Sequence, residues 1–171
     1  MKKSNIIIIG AAGRIGKSFI NYFNKENESR LIALDILPES KWSKLNIEVV
    51  DYFSVDIINS EKLNNIINQI HNKYGVIESV VNTSYPKNKN YGKSVEEITI
   101  DDFNEHLSMH LGGYFNVMKL FIEYFKNQKS GNIINIASIQ GVSSPKFNHY
   151  KGTNMVSPIE YTAAKSGIIS I

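Results

Sequence analysis

Four consecutive isoleucines, Ile6 to Ile9, run straight into Gly10-Ala11-Ala12-Gly13-Arg14-Ile15-Gly16. A continuous β-branched run, unlike an alternating one, suits a central parallel strand covered on both faces. Ser18 to Phe23 then repeat with helical spacing. Strand, glycine turn and helix in that order form the setting in which a backbone cradles a pyrophosphate. Gly10 permits the tight turn, Gly13 lets the backbone approach phosphate oxygens, and Gly16 lets the helix pack close to the strand. Arg14 and Ile15 complete the loop. The competing reading is a plain tight turn.

The rest of the chain repeats the unit. Leu31 to Leu34 form a second apolar strand that ends at Asp35. An acidic residue about 20 positions beyond the glycine loop bonds the adenosine ribose hydroxyls and repels a 2′-phosphate, which predicts NAD over NADP. A solvated strand-end aspartate is the alternative, and Arg14 is a competing cation that favours NADP. Ile47 to Phe53 read as a third strand, with Asp56 just past it. Asn59 or Ser60 caps a helix through Tyr74, with Leu63, Ile66, Ile67 and Ile70 on one face and Gly75 ending it. Ser79 to Asn82 form a fourth strand. Pro86 to Lys93 read as a solvated loop or an active-site rim.

Thr99 caps a long helix with Asp102 at its third position. Phe103, Leu107, Leu111, Tyr114, Met118, Phe121 and Phe125 form its apolar stripe, suited to core or subunit packing. Gly112-Gly113 inside it suggests close backbone approach. Gly131 to Ser138 read as a fifth buried strand, and Val142 to Val156 as a polar connection. Strand–helix alternation of this kind predicts an α/β fold, a Rossmann-type doubly wound parallel sheet of order 3-2-1-4-5, in one domain over residues 1–171. The glycine loop, Asp35, Asn82, Ser138 and the final helix are expected at the carboxyl edge of that sheet.

That final helix starts at Ser157-Pro158-Ile159-Glu160, which reads as a capping box with Pro at the first helical position. Tyr161 and Lys165 follow, four residues apart and so on one helical face. An ammonium beside a phenol favours the phenolate and readies the hydroxyl for proton exchange near neutral pH. Tyr-x-x-x-Lys also arises by chance in many chains.

Composition narrows the remaining classes. A net charge of +3 is too small to imply a nucleic-acid partner. Cysteine is absent, so thiolate chemistry and disulfides are excluded, and the four histidines lack metal-site spacing. The start, Met1-Lys2-Lys3 and then isoleucines, resembles a leader, but its apolar run is too short. No stretch approaches the ~20 apolar residues of a membrane span. A cytoplasmic protein without membrane partners is expected.

In Gly10/Gly13/Gly16, Asp35, Asp56, Asn82, Asn135-Ile136-Ala137-Ser138 with Gly141, and Tyr161-x-x-x-Lys165, the whole chain resembles the short-chain dehydrogenase/reductases. The resemblance implies an NAD-dependent oxidoreductase that moves hydride between nicotinamide and an alcohol or ketone. It makes Tyr161 the general acid/base. Lys165 tunes Tyr161 and holds the nicotinamide ribose, and Ser138 bonds the reacting oxygen. Asp56 lies near the adenine and Asn82 near the adenosine-side ribose. It also implies a homodimer or homotetramer. The overall likeness is to bacterial oxidoreductases of flagellin modification and nonulosonic-acid sugar synthesis, which makes a sugar derivative the expected substrate class. His149, Tyr150 and Lys151 are then candidates for an anionic or sugar-like group, or part of a surface loop.

Departures from the family pattern keep other functions open. The glycine spacing is that of extended members, which include sugar epimerases and dehydratases. Thr83-Ser84-Tyr85 replaces Asn-Ala-Gly. His110 stands where the family has an asparagine that carries a water-linked proton relay; it reads either as a relay group, with an ordinary pKa of about 6.5, or as a packed helix histidine. The connection from Ser138 to Tyr161 is long. Family members continue for two further strands and a substrate-covering segment, so the chain reads as a C-terminally incomplete domain, a fragment or a truncated form. A dinucleotide-binding redox sensor without chemistry is the second reading.

Overall fold

The computed structural model describes residues 3–49, 51–153 and 155–171. Met1 and Lys2 of the leader-like start, Val50 of the expected third strand and Asn154 of the long connection lie outside the described residues. The chain divides into two units, residues 1–85 with 116–136, and residues 86–115 with 137–171.

The first unit holds the sheet. Its strands are β1 (Ser4–Ile9), β2 (Ser29–Asp35), β3 (Asp51–Ser54), β4 (Ser79–Asn82) and β5 (Asn132–Asn135). All pair in parallel, in the order β3-β2-β1-β4-β5 expected from the strand–helix alternation. The isoleucine run is central, and Ile7, Ile8 and Ile9 are almost wholly buried. Burying each such side chain stabilises the fold by about 2 kcal/mol. Buried Asn5 fixes the strand's start: its amide donates to the carbonyls of Tyr74 (3.0 Å) and Val76 (2.7 Å), and its oxygen accepts from Arg30 at 2.8 Å.

Helices α1 (Arg14–Glu26) and α3 (Ser60–Tyr74), and most of α5 (Gly113–Gln128), belong to this unit, with a short α2 (Glu39–Trp42) that the sequence pattern did not predict. Trp42 of α2 stacks on Tyr52 of β3 at 4.3 Å. The side chain of Asn59 caps α3 by accepting from the Lys62 amide at 2.9 Å. Asn116 ties α5 down by donating to the Ile57 carbonyl at 2.7 Å, as does Tyr124, whose hydroxyl accepts from the Ile77 amide at 3.1 Å.

Two strand expectations are corrected. The third strand begins at Asp51, not Ile47: Ile47 and Val49 pack on the core without pairing in the sheet. The fifth strand is not fully buried but alternates exposed and half-buried residues, because β5 pairs only with β4 and forms the sheet's edge.

The second unit contains α4 (Ile100–Leu107), a π-helical turn over Ser108–Gly112 that leads into α5, and α6 (Ile159–Ser170). Thr99 caps α4 as expected, accepting from the Asp102 amide at 3.1 Å. The glycine pair does not mark a close approach at Gly112, where an added Cβ would sit in ordinary contact, 3.8 Å from the Leu107 carbonyl. It coincides instead with the π turn, where the helix takes an extra residue.

The capping box at Ser157 and Glu160 is also corrected. Helix α6 has Pro158 at its N-cap and no side-chain cap. Both candidate capping groups are buried and bonded elsewhere. Ser157 donates to the Gln140 side-chain oxygen at 3.3 Å, and Glu160 accepts from the Gly92 amide at 3.1 Å.

Candidate functional site

In the first unit the candidate groups lie at the carboxyl ends of β1, β2 and β4. Gly10 follows β1 with φ 73°, and a Cβ there would lie 2.7 Å from the Ser84 backbone. Such a conformation and such a contact admit glycine alone. Gly16, in the first turn of α1, packs against the backbone of Gly10 and Ala11 with no room for a Cβ. Gly13, Arg14 and Ile15 are exposed. The first turn of α1 carries no acidic residue and no side-chain cap. Its amide groups are therefore open to an anion, and the helix dipole favours one there. A bare backbone cradle of this kind fits the pyrophosphate of a dinucleotide.

Asp35 closes β2 beside this turn. Its carboxylate accepts from the Ala12 amide at 2.9 Å and from the Leu37 amide at 3.1 Å. The residue expected to read a ribose thus also braces the glycine turn, and its two oxygens keep further acceptor capacity. Burial of Tyr52 first, and then the Asp35 charge, push the Tyr52 hydroxyl up to about 12. Tyr52 donates to the carbonyls of Leu37 and, at 3.4 Å, Asp35. Asp56 accepts from the Ile58 amide at 3.1 Å. Asn82 is buried at the end of β4 and accepts from the Ser84 hydroxyl at 2.6 Å. Thr83 donates to the Ile9 carbonyl at 2.8 Å, so the altered Thr83-Ser84 segment locks β4 to the end of β1.

In the second unit α6 brings Tyr161 and Lys165 together, with the Lys165 Nζ 5.8 Å from the Tyr161 ring centre and 5.0 Å from that of Tyr114. Lys165 is buried, and that burial pulls its ammonium down to about 8. His110 lies in the π turn, fully buried, with its ring 6.2 Å from that of Tyr161 and 5.6 Å from that of Tyr114. Burial first, then Lys165 and His106, push His110 down to about 3. His110 is therefore neutral across the physiological range. Ser138 caps a single 3₁₀ turn, Ile139–Gly141, accepting from the Gln140 amide at 3.2 Å. That turn is held on α6 by the Ser166 hydroxyl, which donates to the Gly141 carbonyl at 2.9 Å.

One residue of this unit had no place among the expected site residues. His106, fully buried, places its Nε2 3.2 Å from the His110 Nδ1. Its signal was present as a second i, i+4 pair, His106 and His110, but an apolar stripe does not count histidines. The 86–93 segment, expected as a solvated loop or a rim, is tied down through Asp102, whose carboxylate accepts from Asn90 at 2.6 Å and pairs with Lys93 at 3.3 Å. A cavity of about 240 Å³ beside the 3₁₀ turn is lined by Ile139, Gln140, Lys146, His149 and Tyr150, among others. Lys151 is not among its lining residues. Among the described residues no helix is long and apolar enough to cross a membrane.

The chain is similar in sequence and fold to known proteins. The chain is 39% identical over 171 residues to the post-translational flagellin modification protein A of Campylobacter coli, an alignment covering 95% of this chain and 66% of that protein. A short chain dehydrogenase from Bacillus anthracis superposes with a TM-score of 0.82 at 23% identity, over 99% of this chain and 65% of that one. A short chain dehydrogenase from Leptospira borgpetersenii with bound NAD+ gives 0.79 at 26% identity, over 99% of this chain and 63% of that one. The chain thus spans just under two thirds of the length of the flagellin modification protein and of the two solved structures. The short chain dehydrogenase pattern matches residues 4–171, and the chain belongs to that family.

Proposed function

We propose that the full-length protein is a nicotinamide-dependent oxidoreductase that interconverts an alcohol and a ketone, with NAD rather than NADP as its cofactor. The observation that carries the reading is the Tyr161–Lys165 pair: a phenol and a buried ammonium set on one helical face against a neutral imidazole. Gly10, Gly13, Arg14, Ile15 and Gly16 would hold the pyrophosphate, Asp35 the adenosine ribose, Asp56 the adenine end and Asn82 the adenosine-side ribose. Tyr161 and Lys165 would hold the nicotinamide ribose. The bound dinucleotide supplies or accepts the hydride.

Tyr161 gives a proton to the reacting oxygen during reduction and takes it back during oxidation. Lys165, a buried cation on the same helical face, stabilises negative charge on that phenolic oxygen. Ser138 accepts a backbone bond from Gln140, which leaves its own O–H to donate to the reacting oxygen as charge develops there. Likeness to a post-translational flagellin modification protein supports the flagellin-modification branch, and for that branch a sugar derivative is the proposed substrate and the cytoplasm the proposed place of work. The cavity holding Lys146, His149 and Tyr150 supports a polar or anionic one. Exposed Phe115 and Ile122 on α5 support a homodimer or homotetramer.

The test is the fate of deuterium from [4-²H]NADH, of both stereochemistries, when the full-length protein meets a panel of cyclic ketones and keto-sugars. Deuterium in the product alcohol from one stereoisomer is expected. Bound NADH without deuterium transfer to any panel member would replace the reading with a redox sensor. Interconverted sugars with the cofactor retained would replace it with an epimerase.

A further inference from the structure

The second unit buries two imidazoles bonded ring to ring, and general acid/base catalysis by Tyr161 does not require them. We infer that His106 and His110 form a two-imidazole proton relay that serves the Tyr161–Lys165 pair, His106 acting through His110 as a positioning residue. The inference rests on the proposed proton-exchange role of Tyr161.

The chemistry follows from the hydrogen bond. A contact of 3.2 Å between the His110 Nδ1 and the His106 Nε2 needs one N–H between them. In one arrangement His110 Nδ1–H donates to His106 Nε2, which leaves His110 Nε2 an acceptor and His106 Nδ1–H a donor. In the other, His106 Nε2–H donates to His110 Nδ1, and the outer nitrogens exchange roles. Passing between the two arrangements means that one proton is taken up at His110 Nε2, one crosses between the rings and one leaves from His106 Nδ1. Three N–H bonds change, atoms and charge balance, and neither ring ends charged.

The surroundings suit such a pair. Both rings are fully buried, and burial holds both below the ordinary histidine range, so neutral rings are the resting form near pH 7. A relay of imidazolium ions would be blocked, since both nitrogens of each ring would already carry a proton. At the inner end the His110 ring adjoins Tyr161 and Tyr114, and Lys165 of α6 lowers its proton affinity further. At the outer end His106 stacks on Tyr91 at 5.1 Å with the rings 29° apart. Glu160 of α6 raises the proton affinity of His106 and Lys87 lowers it, both less strongly than burial does. Two atoms at this end are buried without a hydrogen-bond partner among the described residues, His106 Nδ1 and the Glu160 Oε2. Buried polar atoms are seldom left so, and a proton donor with a carboxylate oxygen is what the outer end of a relay requires. The π turn contributes as well, because it carries His110 within the long helix.

Two measurements test the relay in the full-length protein. Long-range ¹H–¹⁵N spectra of histidine-labelled protein at pH 7 need no substrate. Two neutral rings sharing one Nδ1–Nε2 hydrogen bond are expected. A charged ring, or two rings without that bond, would overturn the relay. Kinetics are then compared for wild type, His106→Phe and His106→Gln on the best ketone of the panel. Phe keeps the ring stacked on Tyr91, and Gln keeps a hydrogen bond to His110, but neither passes a proton at neutral pH. Both variants should lose roughly tenfold in kcat, with a larger solvent isotope effect and KM and NADH affinity within twofold. The variants' pH–rate profiles should lie parallel to the wild type's, and added imidazole should restore part of the loss in His106→Phe. A folded Gln variant with wild-type kcat and isotope effect would overturn the relay. If Tyr161→Phe also keeps its turnover, the acid/base reading has failed first. If only the His106 variants keep theirs, the relay alone has failed.

Discussion

At the glycine turn of the first unit the groups offered to a ligand are chiefly backbone amides, and Asp35 and Thr83 beside them also hold the backbone. Gly10 and Gly16 exclude a Cβ, Asp35 accepts the Ala12 amide, and Thr83 donates to the end of β1. At α6 and the π turn of the second unit the offered groups are side chains that titrate, and burial has moved them: Lys165 down to about 8 and His110 down to about 3. The first arrangement suits binding, since fixed dipoles hold an anion without changing protonation. The second suits chemistry, since desolvated acids and bases exchange protons near neutral pH. It also costs stability, because each buried ionisable group is worse solvated in the folded chain than in the unfolded one.

Substitutions can break the two halves of that contrast separately. The largest structural effect is expected from Gly16→Val, which forces a branched side chain into the backbone of Gly10 and Ala11. More than about 4 kcal/mol of stability should be lost, and urea unfolding that shows less than 1 kcal/mol would deny the close packing. Lys165→Met should show the opposite sign. Turnover falls by roughly 100-fold or more, while stability at pH 7 rises because a desolvated ammonium is removed. In the wild type the folded state releases this proton near pH 8 and the unfolded state only near its ordinary value of 10.5. Between those values the unfolded state binds more protons, so wild-type stability gains on the variant by up to about 3 kcal/mol as pH rises. Chemical denaturation at pH 7.5 and pH 10 measures this, and a gap that widens with pH would contradict it.

Asp35→Asn tests the binding half more gently. With the charge gone, the preference for NADH over NADPH should fall about tenfold, near 1.4 kcal/mol, as read by fluorescence titration. An unchanged ratio would mean that Asp35 only braces the turn. Thr99→Ala removes a single cap from α4 and should cost about 1 kcal/mol with kcat unaltered. A loss of turnover there would show the reaction centre to be sensitive to any slackening of this unit.

The same contrast explains what was legible in the sequence. The glycine turn was visible because its geometry admits few residues, and an isoleucine run marks a central strand without further context. Sheet order followed from alternation and handedness, the Asn59 and Thr99 caps from local hydrogen bonding, and the Tyr161–Lys165 pair from helical spacing. The histidine pair was hidden by the π turn. Phe103, Leu107 and Leu111 define an apolar stripe on an ideal helix, yet the fully buried face runs through His106, His110, Tyr114, Val117 and Phe121. One extra residue per turn rotates the helix by about 100°, and no apolar pattern announces it. Ser157 and Glu160 matched a capping pattern but found partners distant in sequence, Gln140 and Gly92. A local rule cannot foresee such competition.

The central claim is that Tyr161 exchanges the proton and does not merely pack. Its most direct test is Tyr161→Phe in the full-length protein, with NADH affinity and single-turnover NADH oxidation measured on the same sample. The account predicts NADH binding within about twofold of wild type and a reduction step slowed by roughly 100-fold or more. Turnover preserved in the phenylalanine variant, with binding intact, would contradict it.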